Sequence, residues 1–560
     1  MTFWDWVVIG VYFLLIAGIA VHATYRQKTP KDFFLAGRNI GFFAIGGSLF
    51  ASNIGSEHIV GVSGQGATSG MAMAHYELHA WVMLLLAWVF VPFYYRAGVY
   101  TMPEFLERRF NSRARWILSC VSLLAYVFTK VAVTVYAGAL VFQTLLPDTF
   151  GTPENAFWVG AFATVILTGI YTIIGGLRAV LFTDTAQAFV LLVGSVALTF
   201  FGLRELGGWG ELQAMASANA DQFALWRPLD DPEFPWLGIL IGTPIVGIWY
   251  WCTDQYIVQR TLAARDLGTA RRGALWGGVL KLFPVILFLI PGMIGWALHQ
   301  QGVLEIPTRL VGDETVVDGD QVFPTMVMTL LPAGLRGLVV GGLLAALMSS
   351  LSSLFNSTAA LFTRDVYEKI TPGRSDRHLV RVGRVATGVV VGLGILWIPV
   401  MPHVADLGLY HYLQNVQSYL APPITAVFLL GLAWKRINAH GAVWGLSVGF
   451  VLGIAKLVIQ ALFGEGQTFE EPAFLAAFGD FNFLYYAGVL FAASIAVIIG
   501  VSLLTRAPDP AQIAGLTYGS RSEEQIQENR ESRGMTDYVL TAIVLGGALT
   551  AYLYFSFWLG

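Results

Sequence analysis

Nine polar or ionisable residues fall inside, or at the edge of, long apolar runs: Asn53, Glu57, His58, Glu77, Lys130, Asp184, Asp254, Lys281 and Gln414. A charge at the centre of a membrane helix costs about 2.5–3.5 kcal/mol on insertion scales, so such residues persist where they pair or serve a ligand. Pairing is open to some of them, since Glu57 or Glu77 could neutralise Lys130 or Lys281. Their types also suit a neutral polyol. Each buried hydroxyl needs a partner or costs about 1–3 kcal/mol. Glu77 accepts, Lys281 donates, and Asn53, His58 and Gln414 can do both. Tyr250 and Trp251 offer flat faces for the weakly apolar side of a sugar ring. An amino acid would want a narrower pattern of charge, and Glu57 and Glu77 would repel an anion.

A second cluster is made of hydroxyls. Within Ala345–Ser353, the residues Ala346, Ser349, Ser350 and Ser353 share one helix face by i, i+3, i+4, i+7 spacing. Alone this is a small-residue packing face of the kind common between membrane helices. Opposite a broken helix with free carbonyls, the same oxygens make a cage for sodium.

Two apolar segments have the composition of broken helices. One runs Phe50-Ala51-Ser52-Asn53-Ile54-Gly55-Ser56-Glu57-His58 and on to Gly61, Gly64 and Gly66; the other runs Gly242-Thr243-Pro244 to Trp251. Glycine and proline at mid-depth free backbone groups that hydrocarbon cannot satisfy, so such breaks line cavities or bind ligands. They open two sets of five helices, and matching breaks in two halves point to a transporter binding site.

The chain around these segments is built for a bilayer. Of its 560 residues 56% are hydrophobic and only 12% charged, with mean hydropathy +0.64. Fourteen spans are predicted, near 3–22, 41–62, 76–97, 114–144, 156–175, 184–204, 236–257, 273–298, 336–360, 382–400, 406–432, 441–463, 481–504 and 537–559. With the N-terminus outside, 26 of the 33 basic residues fall in loops on one side. Both termini are therefore expected outside a cell membrane, plasma or inner. No positive charge precedes the first run, so it reads as a retained span rather than a secretory signal. The polar loop at 505–536 is expected inside and flexible. The net charge of −3 and the absence of a basic tract exclude a nucleic-acid partner, and no obligate protein partner is evident. The two cysteines, Cys120 and Cys252, have no zinc or disulfide spacing. No metal-ligand spacing and no nucleophile with a base suggest an enzyme. A membrane sensor with little transport is the alternative of another class.

The chain resembles the sodium/solute symporter family, and within it the sodium/glucose branch. The resemblance rests on Asp32-Phe33-Phe34-Leu35-Ala36-Gly37-Arg38, Ser52–His58, Tyr126-Val127-Phe128-Thr129-Lys130, Thr183-Asp184, Trp249–Gln255, Leu347–Leu351, Tyr412-Leu413-Gln414 and Trp434-Lys435-Arg436, and runs from about residue 30 to 505. It implies an all-α LeuT-type fold: a leading helix (1–30), two inverted five-helix repeats (31–204 and 236–432, each opened by a broken helix), and three trailing helices (433–560). It also implies sodium as co-substrate and no organic cofactor. A sodium site would map to Ala51, Ile54, Ala346, Ser349 and Ser350. A sugar site would map to Asn53, His58, Glu77, Tyr250, Trp251, Lys281 and Gln414. Tyr250 would be the inner gate, and Val62, Tyr76 and Tyr410 the outer gate. Asp184, Ser352 and Ser353 resemble a second sodium site. The implied activity is sodium-driven uptake of a neutral hexose, glucose or galactose, by alternating access, with myo-inositol or another solute of the same family as the alternative cargo. Gly247 stands where relatives carry a polar side chain facing the sugar, and Gln417 where glucose carriers often have a smaller hydroxyl residue.

Overall fold

A computed structural model describes residues 1–24, 29–147, 149–311, 314–399, 409–464, 469 and 471–559, without the side chains of 23–24, 56–57, 128, 174–175, 309–311, 314–315 and 409–412. Among these residues, thirteen helices are long and apolar enough to cross a membrane. The span predicted at 41–62 is not one of them, because it lies in two pieces, α2 (Phe42–Asn53) and α3 (Ser56–Thr68). Counted as one crossing, that pair brings the described crossings to the fourteen that hydropathy predicts. They run α1 (Phe3–Thr24), α2/α3, α4 (Gly70–Ala97), α5 (Ser112–Leu145), α6 (Pro153–Ile173), α7 (Gly176–Leu206), α8 (Trp236–Ile248) with α9 (Gln255–Leu262), α10 (Leu267–Gln300), α11 (Leu335–Ile370), α12 (Asp376–Trp397), α13 (Leu409–Ala433), α14 (Ala439–Phe463), α15 (Phe483–Leu504) and α16 (Met535–Ser556).

The outer surface is apolar, as a lipid-facing surface must be: Leu14, Phe189 and Leu396 are 74%, 69% and 73% exposed. Polar side chains lie inside instead, with Glu77, Asp184, Ser349 and Ser350 wholly buried. Helix starts follow local chemistry. The side chains of Asn111, Thr152, Ser375 and Asn438 each accept a backbone N–H of the first turn of α5, α6, α12 and α14. Between α6 and α7 there is no loop, only Gly176 at φ 50°, a left-handed conformation that a side chain would strain. Outside the bundle, a short antiparallel hairpin pairs Thr308 with Val317.

The two breaks differ from each other. Between α2 and α3, Ile54 (φ −97°, ψ 77°) and Gly55 (φ −84°, ψ 178°) leave helical geometry. The last carbonyls of α2 therefore lose their helical donors. The second break is not at Gly242–Pro244, which lie within α8. It follows a π-turn, Trp249–Thr253, and falls at Asp254 (φ −76°, ψ 128°), whose side chain caps α9. Gly242 serves close packing instead: a Cβ there would lie 2.7 Å from the carbonyl oxygen of Leu484 on α15. Gly64 and Gly66 do likewise, against Gly319 and Leu289, so they are contact points within α3 rather than parts of its break.

The segment expected to be a flexible loop is ordered against the bundle. It forms helices at Pro510–Ile513 and Glu523–Glu531. Arg96 binds Glu528 at 2.7 Å, Arg271 binds Asn529 at 2.5 Å, and Tyr518 packs edge-on against Phe93. Arginines at the helix ends, read in sequence only as a charge bias, are its anchors.

Candidate functional site

A cavity lies between the two helix breaks, with polar and aromatic side chains on its wall. All seven residues of the expected sugar site line it: Asn53 from the end of α2, His58 from α3, Glu77 from α4, Tyr250 and Trp251 from the π-turn, Lys281 from α10 and Gln414 from α13. Lys281 Nζ donates to Glu77 Oε2 at 2.6 Å, and His58 Nε2 lies 3.1 Å from the same oxygen. This settles the pairing that sequence left open: Glu77 belongs to Lys281, and Lys130 pairs with Asp254. Among the described residues, four polar atoms on the cavity wall are buried with no protein partner: Asn53 Nδ2, Tyr76 OH, Glu77 Oε1 and Gln414 Oε1. Leaving such atoms bare costs about 1–3 kcal/mol each.

Of the expected outer gate, Tyr76 lines the cavity. Val62 is fully buried within α3 and is not among the lining residues. The side chain of Tyr410 lies outside the described ones. Three further lining residues, His79, Val246 and Leu413, were not singled out by sequence, and Gly247 and Gln417 join them. His79 had a signal: it follows Tyr76 by three positions, one helical turn along the same wall.

Beside the first break, Ala51 and Ile54 are buried, as are Ala346, Ser349 and Ser350 of α11. Ser350 Oγ donates to the carbonyl of Ser52 at 3.4 Å, which ties α11 to the end of α2. The five residues of the expected sodium site are thus divided between a helix terminus with free carbonyls and the helix packed on it.

The comparisons with known proteins bear on family and fold. The family model described as the sodium:solute symporter family matches residues 33–449. This chain belongs to that family. The symporter is 38% identical to the rabbit (Oryctolagus cuniculus) sodium/glucose cotransporter 1, over 95% of its own length and 85% of the relative's. It is 38% identical to the rat (Rattus norvegicus) sodium/glucose cotransporter 2, over 94% and 82%. It is 36% identical to the human (Homo sapiens) sodium/myo-inositol cotransporter, over 94% and 76%. Its fold is that of a sodium-coupled sialic acid symporter solved in a substrate-bound outward-open state, with TM-score 0.74 and 22% identity over 91% of this chain and 99% of that one. The architecture is thus the LeuT-type five-plus-five inverted repeat with one leading and three trailing helices. The protein is a sodium-coupled solute symporter and not an enzyme, and sodium is its co-substrate.

Two polar clusters flank the symporter's cavity. In the first, Asp184 of α7 accepts from Ser48 Oγ (2.6 Å), Ser52 Oγ (3.0 Å) and Ser349 Oγ, with Arg260 at 3.8 Å. Ser353 lies 3.2 Å from Ser52 and also binds Arg260, whereas Ser352 Oγ turns to the carbonyl of Ser349 at 2.9 Å. Of the expected second sodium site, Asp184 and Ser353 therefore share one network, and Ser352 bonds elsewhere.

In the second cluster, Lys130 Nζ is ion-paired with Asp254 and stands over the rings of Tyr126, Trp249, Tyr250 and Tyr256 at 4.9–5.1 Å. Cation–π attraction in such a desolvated place is worth up to about 2 kcal/mol per ring. Tyr250 therefore both lines the cavity and contacts Lys130.

Proposed function

We propose that this symporter carries a neutral hexose, glucose or galactose, into the cell with sodium by alternating access. The observation that carries the reading is the set of four polar atoms beside Tyr250 and Trp251 that have no partner among the described residues. Glu77 Oε1 and Gln414 Oε1 accept, Asn53 Nδ2 donates, and Tyr76 OH does both. A ring of hydroxyls satisfies this mixture, and the aromatic faces take its apolar side. The bias of basic residues supports both termini outside a plasma or inner membrane.

Sodium binds from outside at Ala51, Ile54, Ala346, Ser349 and Ser350, bridging the α2 terminus to α11. It favours the outward-open state only through its higher affinity for that state. The sugar then favours closure of the outer gate, Tyr250 moves, and both ligands leave inward. One charge crossing 100 mV releases about 2.3 kcal/mol, which concentrates the sugar roughly 40-fold. A second sodium at Asp184, Ser352 and Ser353 would have to share the carboxylate with Arg260, so one sodium per sugar is expected. A tenfold change in sugar gradient then shifts the reversal potential by about 60 mV; about 30 mV would report two.

The identity to the myo-inositol cotransporter favours inositol as the second cargo to try. Counterflow in proteoliposomes, with and without sodium, across glucose, galactose and myo-inositol tests the reading. Sodium-dependent exchange of a hexose is expected. Exchange of inositol alone would replace the cargo, and no sodium-dependent exchange of any of them would overturn the proposal.

A further inference from the structure

Gly247 leaves a gap in the cavity wall, and the imidazole of His79 fills it. A Cβ placed on Gly247 would lie 3.0 Å from His79 Nδ1 and 3.6 Å from its Cε1. That is tighter than ordinary van der Waals contact, so a side chain at 247 and this ring edge compete for one place. Both residues line the cavity.

The other ring nitrogen is already committed. His79 Nε2 lies 3.0 Å from Thr243 Oγ1, one helical turn before Gly247 on α8. Thr243 has a single hydroxyl proton, and it goes to the carbonyl of Ile239 at 2.7 Å. Thr243 Oγ1 must therefore accept from His79, which places the ring proton on Nε2. The neutral imidazole then presents Nδ1 as a bare acceptor. Among the described residues, no hydrogen bond reaches that nitrogen.

We propose that His79 Nδ1 is a substrate contact that accepts a hydrogen bond from the hydroxyl pointing at Gly247. It sets specificity for a ligand with a hydroxyl at that ring position. The inference rests on the reading of the cavity as a polyol site and adds one acceptor to it. Thr243 is the positioning residue, because it holds the ring so that Nδ1 faces the cavity.

Two substitutions separate the nitrogens. His79→Asn keeps a polar atom near the Nδ1 position and gives up the reach to Thr243. His79→Gln keeps the reach and gives up the atom facing Gly247. Sodium-dependent uptake in proteoliposomes is measured for wild type, both variants and His79→Leu, with glucose and its monodeoxy analogues. For glucose, His79→Leu and His79→Gln are expected to raise the half-saturating concentration about 5- to 50-fold, and His79→Asn less than about 3-fold. One monodeoxy analogue, lacking the contacted hydroxyl, should be insensitive to all three substitutions. If His79→Gln behaves like wild type and His79→Asn does not, the ring serves only to anchor α4 to α8, and the proposal is overturned. The same holds if every analogue responds equally. Should His79→Leu fail to fold, the order of the Asn and Gln variants still decides. If wild type transports no polyol at all, the reading of the cavity fails and this inference falls with it. Wild-type glucose uptake with the reversed order of variants sinks this inference alone.

Discussion

Around the central cavity, Asn53 Nδ2, Tyr76 OH, Glu77 Oε1 and Gln414 Oε1 are buried without partners among the described residues. Around Asp184, both carboxylate oxygens are taken by Ser48, Ser52, Ser349 and Arg260. Both regions are buried polar groups in a low-dielectric interior, where an unmet group is costly and a met one is rigid. On the proposed reading, the first cluster is completed by a ligand that comes and goes. The second is complete within the protein and holds α2, α7, α9 and α11 together. Polarity at mid-membrane marks both; only the partner count tells a binding site from a strut.

The contrast breaks most visibly at Asp184. Asp184→Ala strands Arg260 and should cost about 3–5 kcal/mol of stability, read as a lower melting temperature and poor yield in detergent. An unchanged melting temperature with an altered sodium dependence would move this cluster from strut to ion site. Gln414→Leu removes an oxygen with no protein partner, so stability should stay within about 0.5 kcal/mol. The half-saturating sugar concentration should rise by about 1–3 kcal/mol in free-energy terms, roughly 5- to 150-fold. Loss of folding with no change in affinity would reverse the two regions' roles.

Ser350→Ala sits where the regions meet. It should raise the half-saturating sodium concentration about 10-fold in uptake assays while leaving expression unchanged. Unchanged sodium activation would remove Ser350 from the ion site.

The smallest effect is expected at a satisfied pair near water. Glu107, outside the spans, meets Lys369 at 2.9 Å and Arg115. Burial raises its pKa, but the hydrogen bonds and charges of Lys369 and Arg115 outweigh that and hold it below the ordinary glutamate value of 4.5. A carboxylate with a lowered pKa stabilises the fold above the unfolded pKa, and that contribution fades as pH falls through the folded one. Glu107→Gln should cost about 0.5 kcal/mol at pH 7 and progressively less as pH falls through the folded pKa, seen as a flatter melting profile against pH.

Much of the symporter was legible in sequence where one residue type can do one thing in a membrane. The fourteen crossings followed from apolar length, and the seven cavity residues from polar groups at mid-depth and the family resemblance. The second break was misplaced because Pro244 and Gly242 look like breakers, yet Gly242 is a seat for Leu484 and the chain breaks at Asp254. Asp254, where the chain breaks, pairs with Lys130 from α5, and a distant partner leaves no local pattern. The order of residues 505–536 was hidden for the same reason, since Arg96 and Arg271 are far away along the chain.

By itself the sequence determined the solvent, the number of crossings and the chemical inventory of the site, because transfer from water to lipid is a sum over local residue types. The tertiary structure alone decided which charges neutralise each other, which polar atoms are left over, and which edge of His79 fills the space at Gly247. Those are pairwise facts between helices distant in the chain, and hydrogen bonds and packing act only over a few ångströms.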